Sequence, residues 1–156
     1  MTGGLKVEFV DDDYFTIYYI TNDRYETEDE YRILFQYFNT ELTKRYNYSL
    51  EGLYEVTIYV NKGVYILVFE RLDYYERRYF DVTILLNSLM LYQFEDIDLV
   101  PDDKVYYEGY FYTEIDNVVG DIRLFEYGNI IYGKKADEVL SRGLLLTESL
   151  SQVFPQ

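Results

Sequence analysis

The sequence pattern that most constrains the fold is an amphipathic helix in the first third of the chain. Thr27 is followed three residues later by Glu30, which is the spacing of a capping box at the start of a helix. Apolar side chains then recur on one helical face, at Tyr31, Leu34, Phe35, Phe38 and Leu42. A helix is therefore predicted over residues 28–45, and its apolar stripe needs a sheet to lie on.

Strand patterns precede and follow this helix. Residues 5–10 and 14–20 are rich in β-forming side chains and flank three aspartates, which predicts a hairpin. Residues 54–60 and 64–69 predict a second hairpin, in which Gly63 can adopt the positive φ of a short turn. The first seventy residues therefore predict the order β-β-α-β-β.

The second half carries further strand patterns and a short helix. Strands over residues 80–86 and 89–94 are predicted to form a hairpin that turns at Asn87 and Ser88, and a single strand is predicted over 105–112. A short helix is predicted over 136–142, with Gly143 suited to the C-terminal position that favours a left-handed residue. The predicted class is α+β, with antiparallel β-hairpins forming one or two sheets and a long helix packed on one face.

The chain is long enough for one domain with a real core. A single α+β domain is predicted over residues 5–146, with a candidate subdomain seam in the charged, Tyr-rich connector at 71–79. Residues 1–4 are interpreted as a cloning remnant, and 147–156 as a flexible tail. No targeting signal is recognised, and the absence of cysteine fits a reducing compartment, so a cytoplasmic location is expected.

The charge is strongly negative and evenly distributed. The chain carries 29 acidic and 14 basic residues, for a net charge of −15. Residues 1–50, 51–100 and 101–156 each carry a net charge of −5. Such a field repels nucleic acid and anionic membranes and attracts basic protein surfaces. The expected partner is therefore a protein with a basic surface, with no direct contact to nucleic acid or membrane; the alternative is that the acidity serves solubility alone.

Many catalytic chemistries are excluded by composition. The chain has no histidine and no cysteine, which removes Ser-His-Asp and Cys-His catalysis, His metal sites and disulfides. No cofactor is expected. Clustered carboxylates could ligate a hard cation such as Mg²⁺, and they are found at Asp96, Asp98, Asp102 and Asp103. A metal-dependent enzyme is therefore one alternative, although a solvated loop is the preferred interpretation of this cluster.

The stretch GNIIYGKK at residues 128–135 differs by one residue from the phosphate-binding P-loop. The position that should carry the magnesium-binding hydroxyl is Lys135. The preceding residues also include Arg123 and Glu126, which are unsuited to a buried parallel strand. Nucleotide binding is therefore not expected.

Tyrosine is unusually abundant, with 21 Tyr and 10 Phe but no Trp. Tyrosine buries a ring while keeping a hydroxyl for a partner, so an adaptor or regulator that recognises a protein through Tyr-rich strands is one hypothesis. The β-β-α-β-β start and the sequence LFEYG at 124–128 resemble bacterial adaptor proteins that hand substrates to a protease unfoldase. This resemblance implies no functional residue in this chain.

The sharpest hypothesis is a non-enzymatic acidic inhibitor that occupies the basic cleft of a nucleic-acid-handling protein. In composition the chain resembles phage-encoded blockers of restriction or CRISPR systems. Carboxylates on an exposed surface would take the place of nucleic-acid phosphates. The candidate partner-binding residues are Asp11, Asp12 and Asp13 in the first turn, and Glu28, Asp29 and Glu41 on the polar side of the helix.

Overall fold

A computed structural model describes residues 4–95, 104–115 and 129–146 of the 156-residue chain. The fold is α+β, with two mostly antiparallel five-stranded sheets, one long helix and one short helix. This confirms the predicted class. No helix in these described ranges is long and apolar enough to cross a membrane.

The chain divides into two compact units. The first comprises Met1–Ile58 and Tyr65–Ile84, and the second comprises Tyr59–Val64 and Leu85–Gln156. The candidate seam at 71–79 lies inside the first unit. The single domain over 5–146 stays a prediction, as do the cloning remnant and the flexible tail at the two termini.

The first sheet contains five strands in the order β1-β2-β4-β3-β5. They are β1 (Leu5–Asp11), β2 (Tyr14–Ile20), β3 (Gly52–Asn61), β4 (Val64–Asp73) and β5 (Arg78–Leu85). β1 and β2 are antiparallel, with Leu5 opposite Tyr19 and a register shift between Phe9 and Asp11. The connector predicted over 71–79 is shorter in the structure, because β4 continues to Asp73 and β5 begins at Arg78.

Helix α1 (Glu28–Tyr46) begins at the predicted capping box. Oγ1 of Thr27 accepts from the backbone N–H of Glu30 at 3.2 Å, and the carboxylate of Glu30 accepts from the N–H of Thr27 at 3.0 Å. The helix ends at Asn47, which has a left-handed φ of 53°. The predicted stripe is buried, namely Tyr31, Leu34, Phe35, Phe38 and Leu42.

Aromatic contacts join this stripe to strands of the first sheet. The ring of Phe35 lies 4.7 Å from Phe80 of β5 and 5.6 Å from Phe69 of β4, measured between ring centroids. The ring of Phe38 lies 5.4 Å from Tyr19 of β2 in an edge-on arrangement. Such aromatic pairs add stabilisation beyond the area that they bury.

The second sheet has the order β10-β7-β8-β6-β9. Its strands are β6 (Met90–Phe94), β7 (Lys104–Tyr107), β8 (Tyr110–Glu114), β9 (Asn129–Tyr132) and β10 (Leu144–Leu146). The hairpin predicted from residues 80–86 and 89–94 is wrong, because the first of these strands pairs in the first sheet and the other pairs in the second. The single strand predicted over 105–112 is wrong, since β7 and β8 form a hairpin in which Val105 pairs with Tyr112. Its turn residues Glu108 and Gly109 both have positive φ, 47° and 91°, as in the two-residue turns that suit strand twist.

Helix α2 (Gly133–Arg142) begins three residues before the predicted start. The prediction that Gly143 adopts a left-handed conformation at the end of this helix is also wrong, because its φ is −74°. A Cβ at Gly143 would overlap the side chain of Val105 and the carbonyl oxygen of Val139. The glycine is therefore required by a close approach of the chain to β7. α2 contributes Ala136 and Val139 to a core cluster with Leu91, Val105 and Tyr112.

Candidate functional site

The aspartates of the β1–β2 turn differ in their environments. Asp11 and Asp12 are exposed, whereas the side chain of Asp13 is 48% exposed and bonds to Arg71. Nε of Arg71 donates to Oδ1 of Asp13 at 2.9 Å, and the hydroxyl of Tyr74 donates to the same oxygen at 2.6 Å. The hydrogen bond from Tyr74, followed by that from Arg71, holds the pKa of Asp13 below its usual range.

Arg71 occupies an aromatic cage. Its side chain is 9% exposed, and its guanidinium carbon lies 4.1 Å from the ring centroid of Tyr74, 5.7 Å from Tyr48 and 5.8 Å from Tyr54. Asp13, Tyr48, Tyr54, Arg71 and Tyr74 are called the Arg71 cluster below. Because its charge is neutralised and its donors are used within the chain, the cluster fastens the β1–β2 turn to β4.

The three predicted residues on α1 also have partners within the chain. Arg32 lies 3.3 Å from Glu28 and 3.5 Å from Asp29, and Arg45 lies 3.5 Å from Glu41. The side chain of Glu41 is only 18% exposed. Such exposed helix pairs are weak, so Glu28 and Asp29 could still exchange their cation for one on a partner.

The six predicted residues fall into two groups at different ends of α1. The hydroxyl of Tyr48, just beyond the C-terminus of α1, donates to the backbone oxygen of Asp12 at 2.7 Å. Glu28 and Asp29 lie in the first turn of the same 19-residue helix, which spans roughly 28 Å at 1.5 Å per residue. The structure therefore does not bring the turn aspartates next to Glu28 and Asp29.

A groove of about 770 Å³ runs between the first half of α1 and strand β5. Tyr31, Arg32 and Phe35 line its helix side. Phe80, Val82 and Ile84 line its strand side, at alternate positions of β5. The groove thus has an apolar floor, while Glu26 and Glu28 add carboxylates where the helix begins.

Tyr31 gives this groove an unsatisfied polar group. The residue is 6% exposed, and its hydroxyl has no hydrogen-bond partner in the part of the chain that the structure describes. Burial raises the pKa of Tyr31 to about 12. Buried polar atoms without partners are rare and costly in folded proteins. This hydroxyl lies beneath the groove surface, so a ligand group would reach it only after a side-chain movement.

Exposed tyrosines cluster beside the start of β5. Tyr75 and Tyr79 have ring centroids 6.2 Å apart in an edge-on arrangement, and both are about half exposed, at 49% and 52%. With Leu53 they line a second, shallower cleft of about 590 Å³. Tyr79 lines the α1–β5 groove as well, so the two depressions share one residue.

The region resembling a P-loop has a different geometry from a nucleotide site. β9, which precedes Gly133, is an edge strand that pairs antiparallel with β6, whereas a P-loop follows a buried parallel strand. Nζ of Lys135 lies 3.3 Å from Glu138 and 5.2 Å from the ring centroid of Tyr107. This lysine therefore has partners within its own unit.

The described ranges contain no group of three or more His, Asp or Glu side chains arranged to hold a metal ion. The predicted cluster at Asp96, Asp98, Asp102 and Asp103 lies outside these ranges, as does the sequence LFEYG.

The α1–β5 groove was not predicted from the sequence. The alternation of Phe80, Val82 and Ile84 was visible and predicted a strand. The position of this strand at the edge of the sheet was not predictable, because strand order depends on contacts between residues far apart in sequence.

Comparisons of the chain with protein-family models, curated proteins and solved structures find no match. Functional conclusions therefore depend on the geometry and charge of this chain.

Proposed function

We propose that the chain is a non-enzymatic protein-binding module that recognises a partner through the α1–β5 groove. The observation that carries this proposal is the groove itself, with exposed aromatic and aliphatic side chains beside it. Tyr79 is 52% exposed and Ile84 is 38% exposed, although both are β-sheet residues of large apolar area. Grooves with apolar floors and a few polar groups at their walls are typical ligand sites.

The composition supports a binding role over catalysis. The chain has no histidine or cysteine to act as a nucleophile or a base near neutral pH. The groove walls instead offer tyrosine and arginine, which are enriched at the energetic centres of protein interfaces. An adaptor or regulator that engages its partner through Tyr-rich strands fits these features.

A library of displayed random peptides, selected on the purified chain, tests this proposal. We expect selected peptides to lose binding to Ile84→Glu, because this substitution places a charge on the groove floor. Thr83→Glu is the matched control, since it adds the same charge to the same strand on the opposite face. Peptides that bind Ile84→Glu as tightly as the wild type would show that the groove is not the recognition site.

The substitution Tyr31→Phe tests whether the unsatisfied hydroxyl of Tyr31 contributes to binding of the partner. It removes one oxygen and leaves the ring that lines the groove. If the hydroxyl bonds to the partner, selected peptides should bind this variant several-fold more weakly, by about 1 kcal/mol. Equal or tighter binding would show that the hydroxyl has no part in recognition.

The acidic-inhibitor hypothesis is a second candidate, and the charge of each unit favours it. The first unit contains 16 acidic and 8 basic residues, for a net charge of −8, and the second contains 13 and 6, for −7. Asp11 and Asp12 are exposed at the β1–β2 turn. A basic nucleic-acid-binding protein is the partner that this charge would attract.

A further inference from the structure

The four sheet edges in the described part of the chain differ in how they are protected against strand pairing. β1 is an edge of the first sheet, and it carries the Lys6–Glu8 ion pair at 3.1 Å and an irregular register near its end. β9 and β10 are the edges of the second sheet and have only four and three residues. Charges, bulges and short length are the usual ways in which proteins block edge pairing.

β5 carries less of this protection than the other three edges, with Asp81 as the one charge among its central residues. It is an eight-residue edge strand with the sequence RYFDVTIL, and its one neighbour in the sheet is β3. Only Asp81 is charged after the first position, and the strand has no proline or glycine. A long edge of this kind is a template for another strand, and the α1–β5 groove lies beside it.

We propose that an extended segment of a partner protein adds to the β5 edge as a sixth strand, with alternating apolar and basic side chains. This inference rests on the proposed function of the groove and specifies its ligand. Arg78 and Tyr79 line the groove where β5 begins, and Phe80, Val82 and Ile84 line it along the rest of the strand. Apolar side chains on one face of the added strand therefore enter the groove beside these last three residues.

The basic positions follow from the opposite face of β5. Strand alternation places Asp81 and Thr83 away from the groove, and both are exposed. A lysine or arginine on the same face of the added strand would pair with Asp81, since cross-strand opposite charges are favourable. The net charge of −8 in this unit also draws a basic segment and opposes the docking of a second copy of the acidic chain.

The probe for this proposal is an acetylated, amidated octapeptide of alternating valine and lysine, labelled for fluorescence anisotropy. We expect it to bind the wild-type chain and to bind Asp81→Asn several-fold more weakly. Glu76→Gln is the matched control, because it removes the same charge from an exposed residue outside β5. Equal weakening by both substitutions would overturn the assignment of the basic position to Asp81.

Backbone methylation separates strand addition from simple occupation of the groove. In an added strand, alternate N–H groups point to the neighbouring strand. One peptide is methylated on its valine nitrogens and a second on its lysine nitrogens. We expect one of them to lose tenfold or more in affinity and the other to retain it, because methylation removes several backbone hydrogen bonds of about 1 kcal/mol each. Amide hydrogen exchange should slow within β5 in the bound state.

The outcomes distinguish this inference from the proposed function. If both methylated peptides bind like the parent and the β5 amides exchange unchanged, strand addition is overturned while the groove proposal stands. If the parent peptide fails to bind and the chain instead self-associates through β5, the partner segment is overturned in favour of a second copy. If peptides from the random library bind Ile84→Glu as tightly as the wild type, both the groove proposal and the added strand are rejected.

Discussion

Nε of Arg71 donates to Oδ1 of Asp13 at 2.9 Å, although the two residues are 58 positions apart in sequence. The bond fastens the turn between β1 and β2 to β4. A second hydrogen bond joins the same two residues through their backbones, since the N–H of Arg71 donates to the carbonyl of Asp13 at 2.7 Å. The rings of the Arg71 cluster surround the guanidinium. Burying this cation without its carboxylate would leave an unpaired charge.

Arg71→Met should destabilise the chain by roughly 2 kcal/mol, because it removes the charged hydrogen bonds from the guanidinium to Asp13 and Tyr54. The free energy of unfolding from urea denaturation measures this effect. Arg77→Met removes the same charge from an exposed position and should change stability by less than about 0.5 kcal/mol. Equal effects of the two substitutions would show that the cluster does not stabilise the fold.

The stability of the chain should fall as the pH is lowered through the acid range. The pKa of Asp13 is depressed by its bonds to Tyr74 and Arg71, and that of Glu30 by its bonds to the backbone and hydroxyl of Thr27. A depressed carboxyl contributes stability above its unfolded pKa of about 4 and loses that contribution as the pH falls through its folded pKa. Urea midpoints measured between pH 7 and pH 3 should show this loss of stability. The midpoint should depend less on pH in Asp13→Asn than in the wild type.

The parts of the fold that were predictable are those set by local sequence. The Thr27–Glu30 capping box and the stripe through Phe38 act over a few residues, so they are visible in the sequence. The turn at Glu108 and Gly109 was missed because a non-glycine residue rarely adopts positive φ. The role of Gly143 was misassigned because its constraint is Val105, a residue 38 positions earlier.

The candidate site was less predictable than the fold for the same reason. The groove exists because β5 takes the outer position of the sheet beside α1. Its acidic surroundings were visible as composition, but the ion pairs of Asp13, Glu28, Asp29 and Glu41 require side-chain geometry. Composition therefore predicted the sign of the surface charge but not which carboxylates already had partners.

Truncation of the α1 core should be costly. Leu34 and Phe38 are 1% and 0% exposed, so Leu34→Ala or Phe38→Ala should cost roughly 2–5 kcal/mol. Ile33 is on the same helix but 65% exposed, and Ile33→Ala should stay within about 0.5 kcal/mol of the wild type. Thermal or urea unfolding gives the comparison. Near-wild-type stability of both core variants would contradict the assignment of the buried face.

Gly143→Ala should destabilise the second unit by about 1–3 kcal/mol, the typical cost of overpacking. The backbone of Gly143 suits alanine, so the penalty comes from the overlap with Val105 and with the Val139 carbonyl. Adding Val105→Ala should recover none or little of the stability, because it opens a cavity and leaves the carbonyl in place. Differential scanning calorimetry reports the change, and an unaltered transition for Gly143→Ala would refute the close approach.

Reversal of exposed acids should weaken binding if the chain blocks a basic cleft. Asp11→Lys, Asp12→Lys and Asp29→Lys together change the charge at both ends of α1 and leave Asp13 in the Arg71 cluster. Each exposed pair is worth only about 0–1 kcal/mol, but a distributed set also speeds association and makes it sensitive to salt. The triple variant should stay folded with a modestly lower unfolding midpoint, because Oδ1 of Asp11 accepts from the N–H of Asp13 at 2.7 Å and Asp29 lies in the first turn of α1.

The deciding measurement is competition between this chain and duplex DNA for a basic nucleic-acid-binding partner at two salt concentrations. Displacement of DNA by the wild type should weaken at high salt, and the triple variant should displace less DNA at low salt. A ternary complex with salt-insensitive affinity would contradict nucleic-acid mimicry. Because apolar burial depends little on screening, the same result would favour recognition through the apolar floor of the α1–β5 groove over recognition through paired charges.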